Sequence, residues 1–271
     1  MKIAFAAGAA VLAFASQSAA QDGWTGPYVG AVAGWGGQAE VDDETVRFDT
    51  NLDGVFGDTV RTAAGANAFS PGFCDGSTSS ATPASACQEE DDGFEFGARA
   101  GYDWQFGTFV VGVLGEAVRT DIQDSVTAFS TTPAAYTMTR ELDGLVAARL
   151  RGGFAFGNTL AYATGGYAMG KIDHRFATTN TANVFTQRES DEDYADGWQL
   201  GGGLEHRFTP EVSLGLEYLY TSLQDDGASV RASGGPAGGP FTATNGSGTD
   251  FRRTNEDFEV HSVRVAATYR F

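Results

Sequence analysis

The alternating pattern of the final stretch, 258–271 (FEVHSVRVAATYRF), constrains the fold of this chain more than any other feature. From Val263 onward, one parity is apolar and the other carries mainly serine, threonine and arginine. Because successive side chains of a strand point to opposite faces, this period of two predicts a β-strand with one apolar face. The apolar parity ends in Tyr269 and Phe271, where a lipid-facing strand places its interfacial aromatics. An edge strand of a soluble sheet is the alternative.

The same alternation recurs in seven earlier segments, which predicts an all-β chain of eight antiparallel strands. These segments are 26–38, 93–105, 108–121, 141–156, 159–173, 195–208 and 212–224. Short turns, among them the hairpin signal Gly157-Asn158, alternate with long polar connections at 39–92, 122–140, 174–194 and 225–257. Short turns on one side and long loops on the other are typical of an eight-stranded transmembrane up-and-down barrel. A soluble barrel of the lipocalin type would need its apolar parity inside.

Aromatic residues mark both ends of the apolar parity, as the two interfacial belts of a membrane protein do. On the short-turn side they are Trp104, Phe109, Phe154, Phe156, Phe208, Tyr269 and Phe271, and on the loop side Trp35, Phe94, Trp198, Tyr218 and Tyr220. In the segment 159–173, the apolar parity is assigned to Leu160, Tyr162 and Ile172. The apolar parity of all eight predicted strands is therefore expected to face lipid.

The opposite parity carries charges of both signs in near balance. They are Glu95, Arg99, Asp103, Glu116, Arg149, Arg151, Glu205, Arg207, Glu217, Arg264 and Arg270. An arginine on the lipid face near the middle of the bilayer costs about 2–4 kcal/mol, so several would exclude that orientation. Inside a narrow barrel the same groups can pair, since a guanidinium donates several hydrogen bonds to carboxylates. The sequence therefore predicts a lumen plugged by charge pairs, without a wide diffusion pore.

The first twenty residues have the pattern of a secretory signal peptide. Lys2 precedes a short apolar run, 3–15, and small residues stand at 18–20, so cleavage after Ala20 is expected. The mature chain, 21–271, is then a single barrel domain with a long first loop at about 39–92. The formal net charge of −18 argues against nucleic acid as a partner, because phosphate binding needs clustered positive charge.

The two cysteines, Cys74 and Cys87, lie close together in an exported chain, which predicts a disulfide. A metal site or a catalytic thiol is the alternative. Both lack partners nearby in sequence, because His174, His206 and His261 lie far away.

Four motifs together resemble a known family: DGWTGPYVGAVAGWG (22–36), GARAGYDWQFG (97–107), FVVGVLGEA (109–117) and LAYATGGYAMG (160–170). They are similar to the small outer-membrane β-barrel proteins of alphaproteobacteria, within the OmpA-like porin family superfamily. The resemblance implies a barrel in the outer membrane of a Gram-negative bacterium, in contact with lipid and lipopolysaccharide. It also implies roles in envelope integrity and surface contact. Phe271 resembles the C-terminal residue that the barrel-assembly machinery reads. The first loop is long for this family, so nothing about it is carried over.

One stretch of the first loop, 49–54 (DTNLDG), matches the first half of a calcium loop, D-x-N-x-D-G. Val60 stands where a bidentate glutamate is required, so a complete EF-hand is excluded. A looser Ca²⁺ site and a solvated acidic loop with turn-forming residues are the two interpretations. The candidate ligands are Asp49, Asn51, Asp53 and Asp58, with the carbonyl of Val55.

No pattern indicates catalysis, because the histidines are scattered and no serine has a His/Asp arrangement around it. The leading hypothesis is a non-enzymatic structural and surface-interaction barrel without a cofactor, whose loops contact an unknown surface ligand. A small-solute porin is the first alternative. The second is capture of a ligand such as haem by the loops, where aromatics and His174 are available. The acidic run 89–92 is either solvated or shares divalent cations with lipopolysaccharide phosphates.

Overall fold

The computed structural model describes residues 23–38, 44–83, 87–88, 92–188, 194–225 and 228–271. The predicted signal peptide and residues 89–91 of the acidic run lie outside them. The described residues contain no helix long and apolar enough to cross a membrane. They form thirteen strands: β1 (Gly26–Gln38), β2 (Val46–Asp49), β3 (Gly72–Asp75), β4 (Gly93–Phe106), β5 (Phe109–Ser130), β6 (Ala134–Phe156), β7 (Thr159–Thr178), β8 (Val184–Arg188), β9 (Tyr194–Arg207), β10 (Val212–Gln224), β11 (Ser229–Ser233), β12 (Thr249–Arg253) and β13 (Asp257–Arg270).

Eight of these strands close into an antiparallel barrel, as predicted. The ring runs β1–β4–β5–β6–β7–β9–β10–β13 and closes where β13 pairs with β1, with Ala31 opposite Ala267. Short turns join β4 to β5, β6 to β7 and β9 to β10. We call the end of the barrel that carries these turns the turn end, and the opposite end the loop end. Gly107 and Gly157 begin the two-residue turns with φ of 64° and 60°, a conformation that favours glycine.

The apolar parity of the barrel strands points outward and the charged parity points inward. In β13, Val263 and Val265 are each 52% exposed, whereas Arg264 between them is 2% exposed. The aromatic side chains predicted for the two belts are also exposed, except Tyr220, which is half-buried. The outer face is therefore the one that meets lipid, and the interior is the charged face.

Strand β7 departs from the predicted assignment of faces. Leu160, Tyr162 and Ile172 point inward with exposures of 0%, 7% and 4%, and Tyr167 of the opposite parity is 52% exposed. The prediction for this strand was wrong because the barrel interior is apolar near both of its ends. Leu160 packs with Trp24 at the turn end, and Ile172 joins an apolar cluster at the loop end.

Much of the sequence predicted as loop is strand. The segment 122–140 continues β5 and β6 as one long hairpin whose tip is 131–133. Ile122, Val126 and Phe129 in it are fully buried. Both faces of this hairpin are covered, so the polar–apolar contrast on which the sequence prediction relied is missing. Strands β2 and β3 lie in the predicted first loop, β8 in the third, and β11 and β12 in the last.

These added elements build a second core above the barrel, which we call the loop dome: β2, β3, β8, β11, β12 and the ends of β5–β7 beyond the barrel. A four-stranded sheet, β2–β12–β11–β8, covers an aromatic cluster in it. The cluster contains Phe48, Phe69, Tyr136, Phe176, Phe185, Phe241 and Phe251. Ring centroids lie close, as at 4.4 Å between Phe48 and Phe69 and 5.3 Å between Phe69 and Tyr136. The dome is therefore a packed unit.

The predicted disulfide between Cys74 and Cys87 is confirmed and belongs to this dome. Cys74 lies in β3, opposite Thr127 of β5. An isolated bridge between Ser77 and Gln88 continues the pairing just beyond the cross-link. The disulfide therefore holds the end of the first loop against the long β5–β6 hairpin.

Replacing both cysteines with serine is expected to loosen β3 without opening the barrel. Closing a loop of about 15 residues by a disulfide contributes about 3 kcal/mol. Hydrogen exchange should therefore become faster for the amides that pair β3 with β5, while those pairing β10 with β13 keep their protection. Chemical reduction of the unchanged protein should reproduce the effect. Unchanged protection at Thr127 and its neighbours would contradict the assigned role of the disulfide.

Candidate functional site: a layered barrel interior

The turn end of the barrel is closed by the residues just before β1. Trp24 is fully buried and packs with Val110, Ala155 and Leu160. Its backbone nitrogen donates to Gln105 Oε1 at 2.6 Å, and its carbonyl accepts from Arg270 Nη1 at 2.6 Å. The segment is thereby folded into the turn end of the barrel.

Arg207 also lies at this end. Its Nη1 donates to the carbonyl of Gly23 at 2.7 Å, and its guanidinium lies 4.8 Å from the centre of the Trp24 ring. The structure therefore places Arg207 against the closing segment, at the rim of the interior. No sequence pattern indicates this contact, because Gly23 and Trp24 lie outside the alternating strand.

A first ionic layer, the lower cluster, lies directly above this closure. Arg151 donates from Nε to Asp103 Oδ1 at 2.8 Å and from Nη1 to Glu205 Oε2 at 2.9 Å. Arg270 Nη2 donates to Asp103 Oδ2 at 2.8 Å and lies 4.0 Å from Glu205 Oε1. Two carboxylates and two guanidinium groups thus form a closed ring without net charge. All four side chains are at most 5% exposed.

A second ionic layer, the upper cluster, is a chain of alternating charges contributed by five strands. Its order is Glu95, Arg264, Glu116, Arg149, Glu217 and Arg99. The successive N–O distances are 2.5, 2.6, 3.0, 3.0 and 3.4 Å. Three carboxylates balance three guanidinium groups, and their side chains are at most 3% exposed. Glu116 and Glu217, in the middle of the chain, each pair with two arginines. This continuous chain of ion pairs holds both carboxylates in place across the lumen.

Two tyrosines pack against the ionic side chains, and one of them, Tyr162, connects the two layers. The hydroxyl of Tyr162 donates to Glu217 Oε2 at 2.7 Å, and the Arg151 guanidinium lies 5.2 Å from the centre of its ring. The ring of Tyr28 lies 4.8 Å from the Arg151 guanidinium and 4.9 Å from that of Arg270. Guanidinium groups stack favourably on such rings. Charged and aromatic side chains therefore fill this part of the barrel.

An apolar layer and a third ionic group close the loop end. The apolar layer includes Ile122, Leu223 and Phe258, all fully buried. Above it, Arg140 Nε donates to Asp124 Oδ2 at 2.6 Å and lies 3.4 Å from Asp225. The group, which we call the mouth cluster, consists of Glu44, Asp75, Asp124, Arg140, His174, Asp225 and Arg253. It connects the barrel to the loop dome.

Three carboxylates of the mouth cluster, those of Glu44, Asp75 and Asp124, lie within 4.8 Å of one another. Arg253 occupies the space beside them: its Nε donates to Glu44 Oε1 at 2.7 Å and its Nη2 to Asp124 Oδ1 at 2.6 Å. Partial burial raises the pKa of Asp75, and the neighbouring carboxylates of Asp124 and Glu44 raise it further. The Arg253 guanidinium therefore pairs with two of these three carboxylates, at the place where a metal ion would otherwise supply positive charge.

Comparison with known families agrees with this architecture. Residues 6–271 match the family described as the outer membrane protein beta-barrel domain. The chain belongs to this family. It is an outer-membrane β-barrel protein of a Gram-negative bacterium.

Two curated relatives carry the name 31 kDa outer-membrane immunogenic protein, one from Brucella melitensis and one from Brucella suis. Each is 36% identical over 137 residues, which are 48% of this chain and 54% of the relative. The chain thus spans about half the length of the curated relatives it matches. Among solved structures, OprG from Pseudomonas aeruginosa aligns with a TM-score of 0.46 at 11% identity, over 91% of this chain and 97% of that one. Ail of Yersinia pestis aligns with a TM-score of 0.34 at 12% identity, over 91% and 99% of the two chains.

The candidate calcium loop of this outer-membrane barrel is closed by its own hydrogen bonds. Asp49 accepts from the backbone nitrogens of Leu52 at 2.6 Å and Gly54 at 2.8 Å. Asp58 accepts from the backbone and hydroxyl of Thr50, and these bonds lower its pKa. The side chains of Asn51 and Asp53 bond to each other at 3.0 Å. Among the described residues, the group of three potential metal ligands close enough to share an ion is Glu44, Asp75 and Asp124, and it includes no residue of the candidate calcium loop.

Proposed function

We propose that this outer-membrane protein is a closed structural barrel that contributes to envelope integrity and presents the loop dome for contacts outside the cell. The observation that carries the proposal is the layered interior. The closing segment at Trp24, the lower cluster, the upper cluster, the apolar layer and the mouth cluster follow one another along the barrel axis. A polar solute would have to displace all of them.

The alternative, a small-solute porin, would need a continuous aqueous path. Each charged group of the lower and upper clusters has an oppositely charged partner, so moving one side chain aside leaves another buried and uncompensated. Breaking a buried pair in this way costs about 3–5 kcal/mol. The cost opposes opening and supports the closed barrel.

The purified protein in planar lipid bilayers is expected to show no stable conductance of porin size. The reason is that paired side chains, rather than a mobile loop, cross the lumen. A trimeric porin reconstituted in parallel provides the positive control for insertion and detection. Long-lived openings of porin size would overturn the closed-barrel proposal, whereas brief, small fluctuations agree with it.

The proposal includes lipid, lipopolysaccharide and the barrel-assembly machinery as partners. The outer face, with its exposed apolar residues and aromatic ends, supports contact with lipid. Phe271 is 62% exposed, and its backbone nitrogen bonds to the carbonyl of Pro27 at 3.1 Å, so its ring is available for recognition during assembly.

The proposed role is non-enzymatic and uses no cofactor. The hydrogen bonds already accepted by Asp49 and Asp58 favour a self-closed turn over a Ca²⁺ site. To bind haem iron through Nε2, His174 would have to leave Asp225, whose carboxylate oxygen lies 2.9 Å from that nitrogen. Both observations support the structural role over these alternatives.

Deleting the protein from the producing bacterium should increase sensitivity to detergent with a chelator and to large antibiotics that the outer membrane normally excludes. Complementation with the full chain should restore resistance. A deletion strain with an unchanged permeability barrier but impaired uptake of small solutes would contradict the proposal and favour the porin.

A further inference from the structure

A cleft of about 320 Å³ opens on the outer surface of the loop dome, and we call it the apical cleft. Residues from all four connections at the loop end line it, within the segments 68–69, 130–136, 179–183 and 236–241. Since the four connections are separate in sequence, the cleft exists only when the whole dome is folded. Its volume lies at the low end of the roughly 300–1,000 Å³ typical of small-molecule sites.

The cleft has an apolar floor and a hydroxyl-bearing rim. Phe69, Tyr136 and Phe241 lie directly beneath the floor and are at most 4% exposed, and the exposed rings of Pro133 and Pro236 supply apolar surface in the lining. Thr131 and Thr181 stand on the exposed rim. No hydrogen bond to another described residue uses the hydroxyls of these two threonines, so they can donate to and accept from a ligand.

Hydrogen bonds fix the walls of the cleft before any ligand arrives. Asn180 Nδ2 donates to the Tyr136 hydroxyl at 2.9 Å and to Asn183 Oδ1 at 3.1 Å. Asn183 Nδ2 donates in turn to the carbonyl of Gly234 at 3.0 Å, which connects the third loop to the fourth. The backbone nitrogen of Thr131 donates to the carbonyl of Ala68 at 2.8 Å, which connects the second loop to the first. A site ordered in this way loses little conformational freedom on binding.

The charge of the cleft differs from that of the chain around it. None of the described residues that line it has a charged side chain, although the chain has a formal net charge of −18. An anionic ligand would meet no cation in the cleft and would be repelled by the surrounding negative charge. A cationic ligand would find no carboxylate there. The lining therefore selects for an uncharged ligand.

We propose that the apical cleft binds an uncharged carbohydrate, one or two sugar rings at a time. A sugar ring presents an apolar C–H face and a ring of hydroxyls, which match the apolar floor and the threonine and asparagine groups. A folded protein partner needs roughly 800 Å² of contact on each side, far more than this cleft offers. The inference rests on the proposed surface role and names the ligand class for it.

The test is an array of immobilised glycans probed with the full, folded protein in detergent. It carries neutral mammalian glycans, neutral bacterial polysaccharides, and sialylated and sulfated glycans, so that the source of the sugar is resolved as well as its charge. Ala182→Trp is the variant that fills the cleft, because Ala182 is exposed in its lining. Ala64→Trp is the matched control, because Ala64 is exposed on the first loop but is not part of the lining.

We expect retention on neutral glycans, reduced at least about tenfold by Ala182→Trp and unchanged by Ala64→Trp. Heat-dependent gel mobility serves as the control that both variants are folded. Absence of binding to every neutral glycan, equal effects of the two tryptophans, or a preference for sialylated or sulfated glycans would each overturn the inference. None of these results bears on conductance, so the closed-barrel proposal is tested separately.

Discussion

Replacing Arg264 with methionine is expected to lower the free energy of unfolding by about 3–5 kcal/mol. Arg264 makes two hydrogen bonds to Glu95, at 2.5 and 3.0 Å, and one to Glu116 at 2.6 Å. Its side chain is 2% exposed. The substitution leaves the carboxylate of Glu95 in the lumen without its cation, and an unpaired buried charge is far less stable than a hydrated one. Urea unfolding in lipid vesicles, followed by tryptophan fluorescence, measures the loss.

Two comparisons separate this effect from the loss of side-chain bulk. Arg175→Met removes an ion pair to Glu141 from a residue that is 63% exposed, and should cost no more than about 1 kcal/mol. Adding Glu95→Gln to Arg264→Met should restore part of the stability, because the neutral amide no longer leaves a charge unpaired. Equal losses for Arg264→Met and Arg175→Met would show that the upper cluster is solvated.

The second large effect concerns the outer face, where Leu216→Arg is expected to cost about 2–4 kcal/mol. Leu216 is 56% exposed, and it lies between Leu204 of β9 and Val265 of β13 in the sheet register. These neighbours place it near the middle of the lipid-facing band. A guanidinium there has neither water nor a counter-ion, so the folded barrel is destabilised in the bilayer.

Val212→Arg provides the matched control on the same strand and the same face. Val212 lies at the turn end of β10, opposite Tyr269 in the aromatic belt, and is 42% exposed. Because arginine at the interface costs only about 0–1 kcal/mol, this variant should unfold almost as the unchanged protein does. If both substitutions are equally mild, the outer face of β10 does not lie in hydrocarbon.

The barrel was predictable from the sequence because each strand contrasts sharply between its two parities. In β13, the alternation of Val263 and Arg264 is sufficient to predict both the strand and its charged face. The partners were not predictable in the same way. Arg264 reaches Glu95, which lies 169 residues earlier in the sequence, and only the closure of β13 on β1 brings the two together.

Two parts of the molecule gave a weak or misleading signal. An apolar residue such as Leu160 can face either lipid or an apolar closure inside the barrel, and periodicity alone cannot distinguish them. The extension of β5 and β6 into the loop dome is covered on both faces, so it shows little contrast between parities. Asp124 and Arg140 therefore appeared to be loop residues, although they pair across the hairpin and belong to the mouth cluster.

The orientation of the strands is the central claim, and oxygen accessibility measured by electron paramagnetic resonance along β10 tests it most directly. Nitroxide labels are attached to single cysteines at 214, 216 and 218 and at 213, 215 and 219 in lipid vesicles. We expect frequent collisions with oxygen at 214, 216 and 218, because Leu214, Leu216 and Tyr218 are 45%, 56% and 47% exposed on the lipid side. Collisions should be rare at 213, 215 and 219, which point into the packed interior. A flat profile, or one with the opposite phase, would contradict the account.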